Sequence, residues 1–141
     1  MNLIEWNSSV SMGIEEIDIQ HKKLVDILNN FFNSMMNGKA YDVLETTFNE
    51  LLDYGIYHFA TEEKYFEKFN YEYAEEHIAE HKFFINKIKE LKKSFDNGDI
   101  QREGSDKILT VELWDFLKKW LVNHIKVDDH KYSKLFKENG L

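Results

Sequence analysis

The stretch HFATEEKYFEKFNYEYAEEHIAEH, residues 58–81, decides the fold. His58 and Glu62 stand four apart in it, and so do His77 and His81. A step of four turns an α-helix by about 400°, so the members of each pair lie one above the other on one face. Read backwards from His58, that face continues through Gly55, Leu51, Phe48 and Leu44; read forwards, it continues through Tyr65 and Phe69. Beyond a weak break at Asn70–Tyr73, the spacing resumes from His77 and His81 through Phe84, Ile88, Leu91 and Phe95. Spacings of three and four are helical, not strand-like. Two long amphipathic helices joined by a short loop are therefore predicted, with imidazoles and a carboxylate on their inward faces.

The same spacing recurs on either side. Ile17, His21, Leu24, Leu28, Phe31 and Met35 form a stripe before this pair of helices. Leu109, Leu113, Phe116, Trp120 and His124 form another after it, widened by Leu117 and Leu121. The chain has no proline, so glycine and Asn/Asp clusters mark its breaks. Asn37-Gly38 and Asp96-Asn97-Gly98-Asp99 read as helix ends, where glycine takes a left-handed backbone without penalty. Gln101–Asp106 reads as further loop. Gly55 falls inside a stripe, which predicts a close helix contact there. The expected fold is all-α: an up-and-down antiparallel four-helix bundle with an N-terminal arm and a short C-terminal helix. Ile4, Trp6 and Val10 are expected to dock the arm on the bundle. Tyr132, Leu135 and Phe136 are expected to pack the short helix after Asp129. Residues 1–141 read as one domain.

Composition narrows the function. The 141 residues include 18 Lys and Arg against 26 Asp and Glu, for a net charge of −8, with no cysteine. Lack of cysteine excludes disulfides, thiolate nucleophiles, cysteine-ligated zinc, iron–sulfur clusters and covalent c-type haem. The acidic balance argues against nucleic acid as a partner and against a polybasic membrane anchor. No apolar run approaches the ~20 residues that span a bilayer. The first twenty residues contain no Lys or Arg, so the positive segment of a signal peptide is missing. A cytoplasmic monomer is expected.

Polar residues that interrupt the apolar stripes carry the chemistry. A lone buried histidine is ordinarily a hydrogen-bonded core residue. Here every helix carries at least one inward histidine, and the second adds Glu62. Buried polar groups need partners and a buried carboxylate needs a counter-charge; a metal centre meets both needs. Imidazole and carboxylate without sulfur suit iron, manganese, zinc or copper. On the last helix two carboxylates compete. Asp128 is four residues after His124 and Asp129 is five after it. Regular helical geometry favours Asp128, since Asp129 lies about 140° away unless the helix loosens.

Taken together these residues resemble the hemerythrin family, specifically its single-domain bacterial members. The motifs are Ile17-Asp18-Ile19-Gln20-His21, His58-x-x-x-Glu62, His77-x-x-x-His81, and Trp120-Leu121 preceding His124-Ile125-x-x-x-Asp129. The resemblance covers nearly the whole chain. It implies a non-haem di-iron centre (Fe2+/Fe3+, with a bridging oxo or hydroxo group) that binds O2 reversibly. It also implies Asp129 in place of Asp128, and so a distorted end to the last helix. His77, His81 and His124 would hold one iron, His21 and His58 the other, with Glu62 and Asp129 bridging. If both ions are six-coordinate, this set leaves one position open, beside His21 and His58. Leu24, Leu28, Phe59, Leu117, Trp120 and Leu121 are expected to wall a dry O2 pocket. His130 is left over as a surface residue or a neighbour of the site, and Glu63 as a solvated acid. Tyr65 and Tyr132 could either hydrogen-bond near the site or simply pack. The expected role is O2 storage, delivery or handling and not catalysis. The alternatives are an O2, redox or NO sensor, or a di-iron oxidase or peroxidase. The carboxylate-rich ferritin-like enzymes are disfavoured, because no Glu-x-x-His occurs.

Overall fold

Residues that tolerate a left-handed backbone end the first two helices. Gly38 has φ +68° and Asn70 has φ +53°. At the first end the Lys39 N–H donates to the Ser34 carbonyl at 2.7 Å, and at the second the Tyr71 N–H donates to the Phe66 carbonyl at 2.9 Å. Both close the last helical turn with a bond from beyond the cap, which satisfies a carbonyl left without a partner inside the helix. The computed structural model describes residues 6–7, 10–97 and 105–141, with side chains from 110 onward in the last stretch. It contains α1 (Glu15–Met36), α2 (Ala40–Phe69), α3 (Ala74–Asp96), α4 (Ser105–Trp120), a π-helical segment (Leu121–Asp129) and α5 (His130–Glu138). Among the described residues there is no strand. Short connections between long helices make neighbours antiparallel, and the architecture is a helical bundle.

Ser105 and Asp106, expected in the loop, already belong to α4. A helix can begin there because serine and aspartate favour first turns over helix interiors. Gly98 to Gly104, Ile4 and the Leu109 side chain lie outside the described residues.

Two apolar clusters make the core. The larger includes Leu24, Leu28, Phe31, Leu44, Phe48, Leu51, Phe84, Ile88, Leu113, Leu117 and Ile125. The smaller includes Met12, Ile14, Ile17, Tyr65, Phe66, Tyr132 and Phe136. Fully burying one such side chain contributes about 1.5–3 kcal/mol. In each helix the inward histidines fall where one cluster gives way to the other, so the polar layer lies between two dry ones. Gly55 permits the close approach of α2 to α3: a Cβ there would stand 2.8 Å from Ile85 Cδ1 and 3.5 Å from Phe84 Cε1.

The N-terminal arm docks as expected through Val10 and the partly buried Trp6. Met12 and Ile14 add to its anchorage by entering the smaller cluster. Asp18 on α1 ties the arm down, accepting from Ser11 Oγ at 2.7 Å and from the Met12 N–H at 2.7 Å. The C-terminal helix packs through Tyr132 and Phe136, both fully buried. No helix of the described chain is long and apolar enough to cross a membrane.

Candidate metal centre

Four segments converge at the polar layer. α1 supplies His21, α2 supplies His58 and Glu62, α3 supplies His77 and His81, and the π-helical segment supplies His124 and Asp129; all seven are buried. Their ligand-type atoms form two groups, each with its atoms within 4.8 Å of one another: Glu62, His77, His81 and His124; and His21, His58, Glu62 and Asp129.

The carboxylates span both groups. Glu62 Oε1 is 2.7 Å from His58 Nε2 and 3.5 Å from His81 Nε2, while its Oε2 is 3.3 Å from His77 Nε2. Asp129 Oδ1 is 2.8 Å from His77 Nε2 and 3.1 Å from His124 Nε2, while its Oδ2 is 3.0 Å from His21 Nε2. Close as they are, these atoms are not aligned for hydrogen bonding. Both oxygens of Glu62 and of Asp129, and Nε2 of His77, His81 and His124, are buried without a hydrogen-bond partner among the described residues. His21 Nε2 and His58 Nε2 face each other at 3.1 Å. Lone pairs aimed at the space between atoms are what cation ligands require, and buried polar atoms left unmatched carry a desolvation cost that a cation removes. The donor set therefore fits a metal, and its imidazole and carboxylate character suits first-row ions such as iron.

The π-helical segment explains how Asp129 reaches this layer. Bonding from residue i to i+5 brings residues five apart into line. His124 and Asp129 therefore share the inner face, both buried. The Asp128 side chain instead keeps 22% exposure and stands 3.4 Å from Lys131 Nζ.

Outer partners orient three of the rings. His58 Nδ1 donates to Gln20 Oε1 at 2.6 Å, and Gln20 Nε2 donates in turn to Thr61 Oγ1 at 3.2 Å. His81 Nδ1 donates to Glu63 Oε2 at 3.0 Å, and His124 Nδ1 donates to Glu80 Oε2 at 2.8 Å. A proton held at Nδ1 leaves Nε2 free to face the centre. Glu63, expected to be simply solvated, is 37% exposed but occupied by His81. Gln20 and Glu80 were not anticipated from the sequence. Each of the three adjoins a site residue in the chain, and a ring that offers Nε2 to a metal needs an acceptor at Nδ1.

Electrostatics reflect the crowding. Burial works to lower His77 and His124, but Asp129 and Glu62 (and Glu80 for His124) outweigh it and raise them to about 9 and about 10. Burial pushes Glu62 and Asp129 up, yet the surrounding imidazoles hold both below the usual carboxylate range. Burial lowers His58. Burial, then Asp129 and Glu62, push the Tyr54 phenol well above its ordinary value.

Leu24, Leu28, Phe59, Leu117, Trp120 and Leu121 are all buried in the larger cluster. Phe59 stacks on His81 with ring centroids 3.9 Å apart, and Trp120 stacks on His124 at 4.0 Å. These two rings thus back the three-histidine group. Tyr132 packs beside His77, with ring centroids 5.7 Å apart. Tyr65 turns away and donates to Glu16. His130 contributes no atom to either donor group; its ring nitrogens lie 3.0 Å from the Ile125 carbonyl and 3.1 Å from the Ser11 carbonyl, tying the arm to the π-helical segment.

Comparison with known proteins agrees with this geometry. Residues 12–136 match the family described as the hemerythrin HHE cation binding domain. Bacteriohemerythrin of Pseudomonas aeruginosa is 32% identical over 143 residues, covering 96% of this chain and 88% of the relative. Bacteriohemerythrin of Clostridium acetobutylicum is 32% identical over 130 residues, covering 90% of this chain and 96% of the relative. The hemerythrin-like protein of Naegleria gruberi is 34% identical over 128 residues, covering 91% and 89%. The crystal structure of a leucine-to-alanine mutant of a hemerythrin superposes with a TM-score of 0.78 at 26% identity, covering 96% of this chain and 98% of the other. A buried layer of five imidazoles and two carboxylates in a helical bundle, matched along nearly its whole length, places this chain in the hemerythrin family.

Proposed function

We propose that the chain binds O2 reversibly at a pair of iron ions. His77, His81 and His124 would hold one ion, and His21 and His58 the other. Glu62 and Asp129 would bridge them beside an oxo or hydroxo group. The observation that carries this reading is the placement of the two carboxylates, each within reach of imidazoles from both donor groups and with no hydrogen bond of its own. When bound, the iron pair supplies the electrons that hold O2 and takes them back on release.

The residues of the chain do the rest. Gln20, Glu63 and Glu80 lock the rings of His58, His81 and His124 so that Nε2 faces inward. Leu24, Leu28, Leu117 and Leu121, with Phe59 and Trp120, keep water from the centre. A dry wall withholds the protons that irreversible oxidation would consume. The proposal extends to one domain over residues 1–141, a monomer in the cytoplasm without a nucleic-acid partner. The −8 charge supports the lack of a nucleic-acid partner.

The test is anaerobic loading with ferrous iron, then admission and removal of O2. The expected result is two iron ions per chain and a visible charge-transfer band that appears with O2 and disappears on degassing. Failure to retain iron would overturn the reading, and irreversible oxidation with release of peroxide would replace it with the oxidase alternative.

A further inference from the structure

Tyr54 stands on α2 one helical turn before His58, and its ring lies on the His58 imidazole with centroids 5.2 Å apart and planes 22° from parallel. The side chain is buried in the larger apolar cluster, among leucines and phenylalanines. Its hydroxyl has neither solvent nor a hydrogen-bond partner among the described residues. The ring it stacks on, His58, belongs to the polar layer, so the phenol stands at the border between that layer and the apolar cluster. A buried donor left unmade costs about 1–3 kcal/mol. A phenylalanine would fill the same space without that cost.

We propose that the Tyr54 hydroxyl donates a hydrogen bond to the small anion that occupies the open position beside His21 and His58. The inference rests on the di-iron reading above. A phenol donates and an anion accepts, and the charge on the acceptor strengthens the bond. Tyr54 thereby selects for ligands that carry negative charge where they meet the phenol. The other fully buried phenol with an unpartnered hydroxyl, Tyr132, lies against His77, a member of the three-histidine group, and not against His58.

Azide is the probe, bound to the iron-loaded, oxidised protein and followed by its charge-transfer band. Tyr54→Phe keeps the stacked ring and is expected to retain two iron ions per chain while binding azide about tenfold more weakly, the loss of one hydrogen bond to a charged acceptor. In wild type, transfer to D2O should shift the vibration of bound azide, and Tyr54→Phe should abolish that shift. Tyr132→Phe, whose phenol lies against His77, should leave the D2O shift of bound azide in place. Equal azide affinity in wild type and Tyr54→Phe overturns the inference. So does loss of a phenolate-to-iron band or of iron itself in Tyr54→Phe, which would make Tyr54 a metal ligand. An effect of Tyr132→Phe in place of Tyr54→Phe assigns the donor to the wrong phenol. A wild-type protein that holds iron but takes neither azide nor O2 removes the O2 reading and this inference with it, a result distinct from the others because it precedes any mutation.

Discussion

Neighbouring acids on one helix separate by surroundings, not by chemistry. Asp128 and Asp129 are adjacent, yet one carboxyl is partly exposed beside Lys131 and the other is fully buried among three imidazoles. The proposal therefore makes opposite predictions for them. Asp129→Ala removes a bridging ligand and leaves Glu62 to answer the imidazoles alone, so the chain should lose at least one iron per molecule by elemental analysis. Asp128→Ala should keep both. Retention of iron by the first variant and loss by the second would reverse the assignment. Gln20, Glu63 and Glu80 act one step further out: they meet the rings at Nδ1, and partners of this kind typically govern metal affinity by about 10–100-fold.

Helices set the spacing of the site. α2 and α3 meet closely at Gly55, one turn before His58, and the same pair of helices carries four of the seven site residues. Alanine at this position would meet only the flexible end of Ile85 at 2.8 Å and then ordinary contacts, while gaining about 1 kcal/mol of helix propensity. Gly55→Ala should therefore change stability little. Gly55→Leu must push the helices apart and should cost about 1–3 kcal/mol, lowering the thermal midpoint. A melting curve of Gly55→Leu that overlays wild type would show that the contact is not tight. The π-helical segment is the second element on which the site depends, because a regular α-helix would turn Asp129 away and present Asp128.

At the scale of the whole molecule, the polar layer links folding, protons and metal. In the metal-free protein the buried carboxylates raise His77 to about 9 and His124 to about 10, so both carry protons at neutral pH. Folded-state values above the usual ~6.5 of histidine mean that their contribution to stability is fully present below pH ~6.5 and is lost as pH rises through those two values. Glu62 and Asp129 are held low, so their contribution is present above the unfolded carboxylate range and is lost as pH falls below it. Burial lowers His58, whose contribution is lost as pH falls below ~6.5, so the metal-free protein should melt highest near pH ~6.5 and progressively lower toward pH ~10. Metal must displace the protons of His77 and His124. Loading near pH 7 should therefore release protons into weak buffer, and affinity should climb from pH 6 to 9. Calorimetry in buffers of different ionisation enthalpy counts those protons; none released would contradict the raised values.

The helices, their inward stripes and the layer of histidines were legible along the chain, because a buried helix face must repeat near every 3.6 residues and any polar residue on it stands out against apolar neighbours. The close contact at Gly55 and the packing of Tyr132 and Phe136 were legible for the same reason. Helical periodicity favoured Asp128 for the inner face, and only the family resemblance pointed to Asp129; in the structure Asp129 is the acid buried among the imidazoles, because of a π-helical segment that no local pattern announces. Gln20, Glu63 and Glu80 were illegible as partners, since the ring each one meets is fixed by how helices lie against one another. Tyr54 and His58 share a face by spacing alone, but that the hydroxyl is left without a partner emerges only once every neighbour is in place. Sequence by itself determined which side chains face inward, because periodicity is a property of one helix. Tertiary structure decided which of them meet, because meeting depends on the packing of four segments at once.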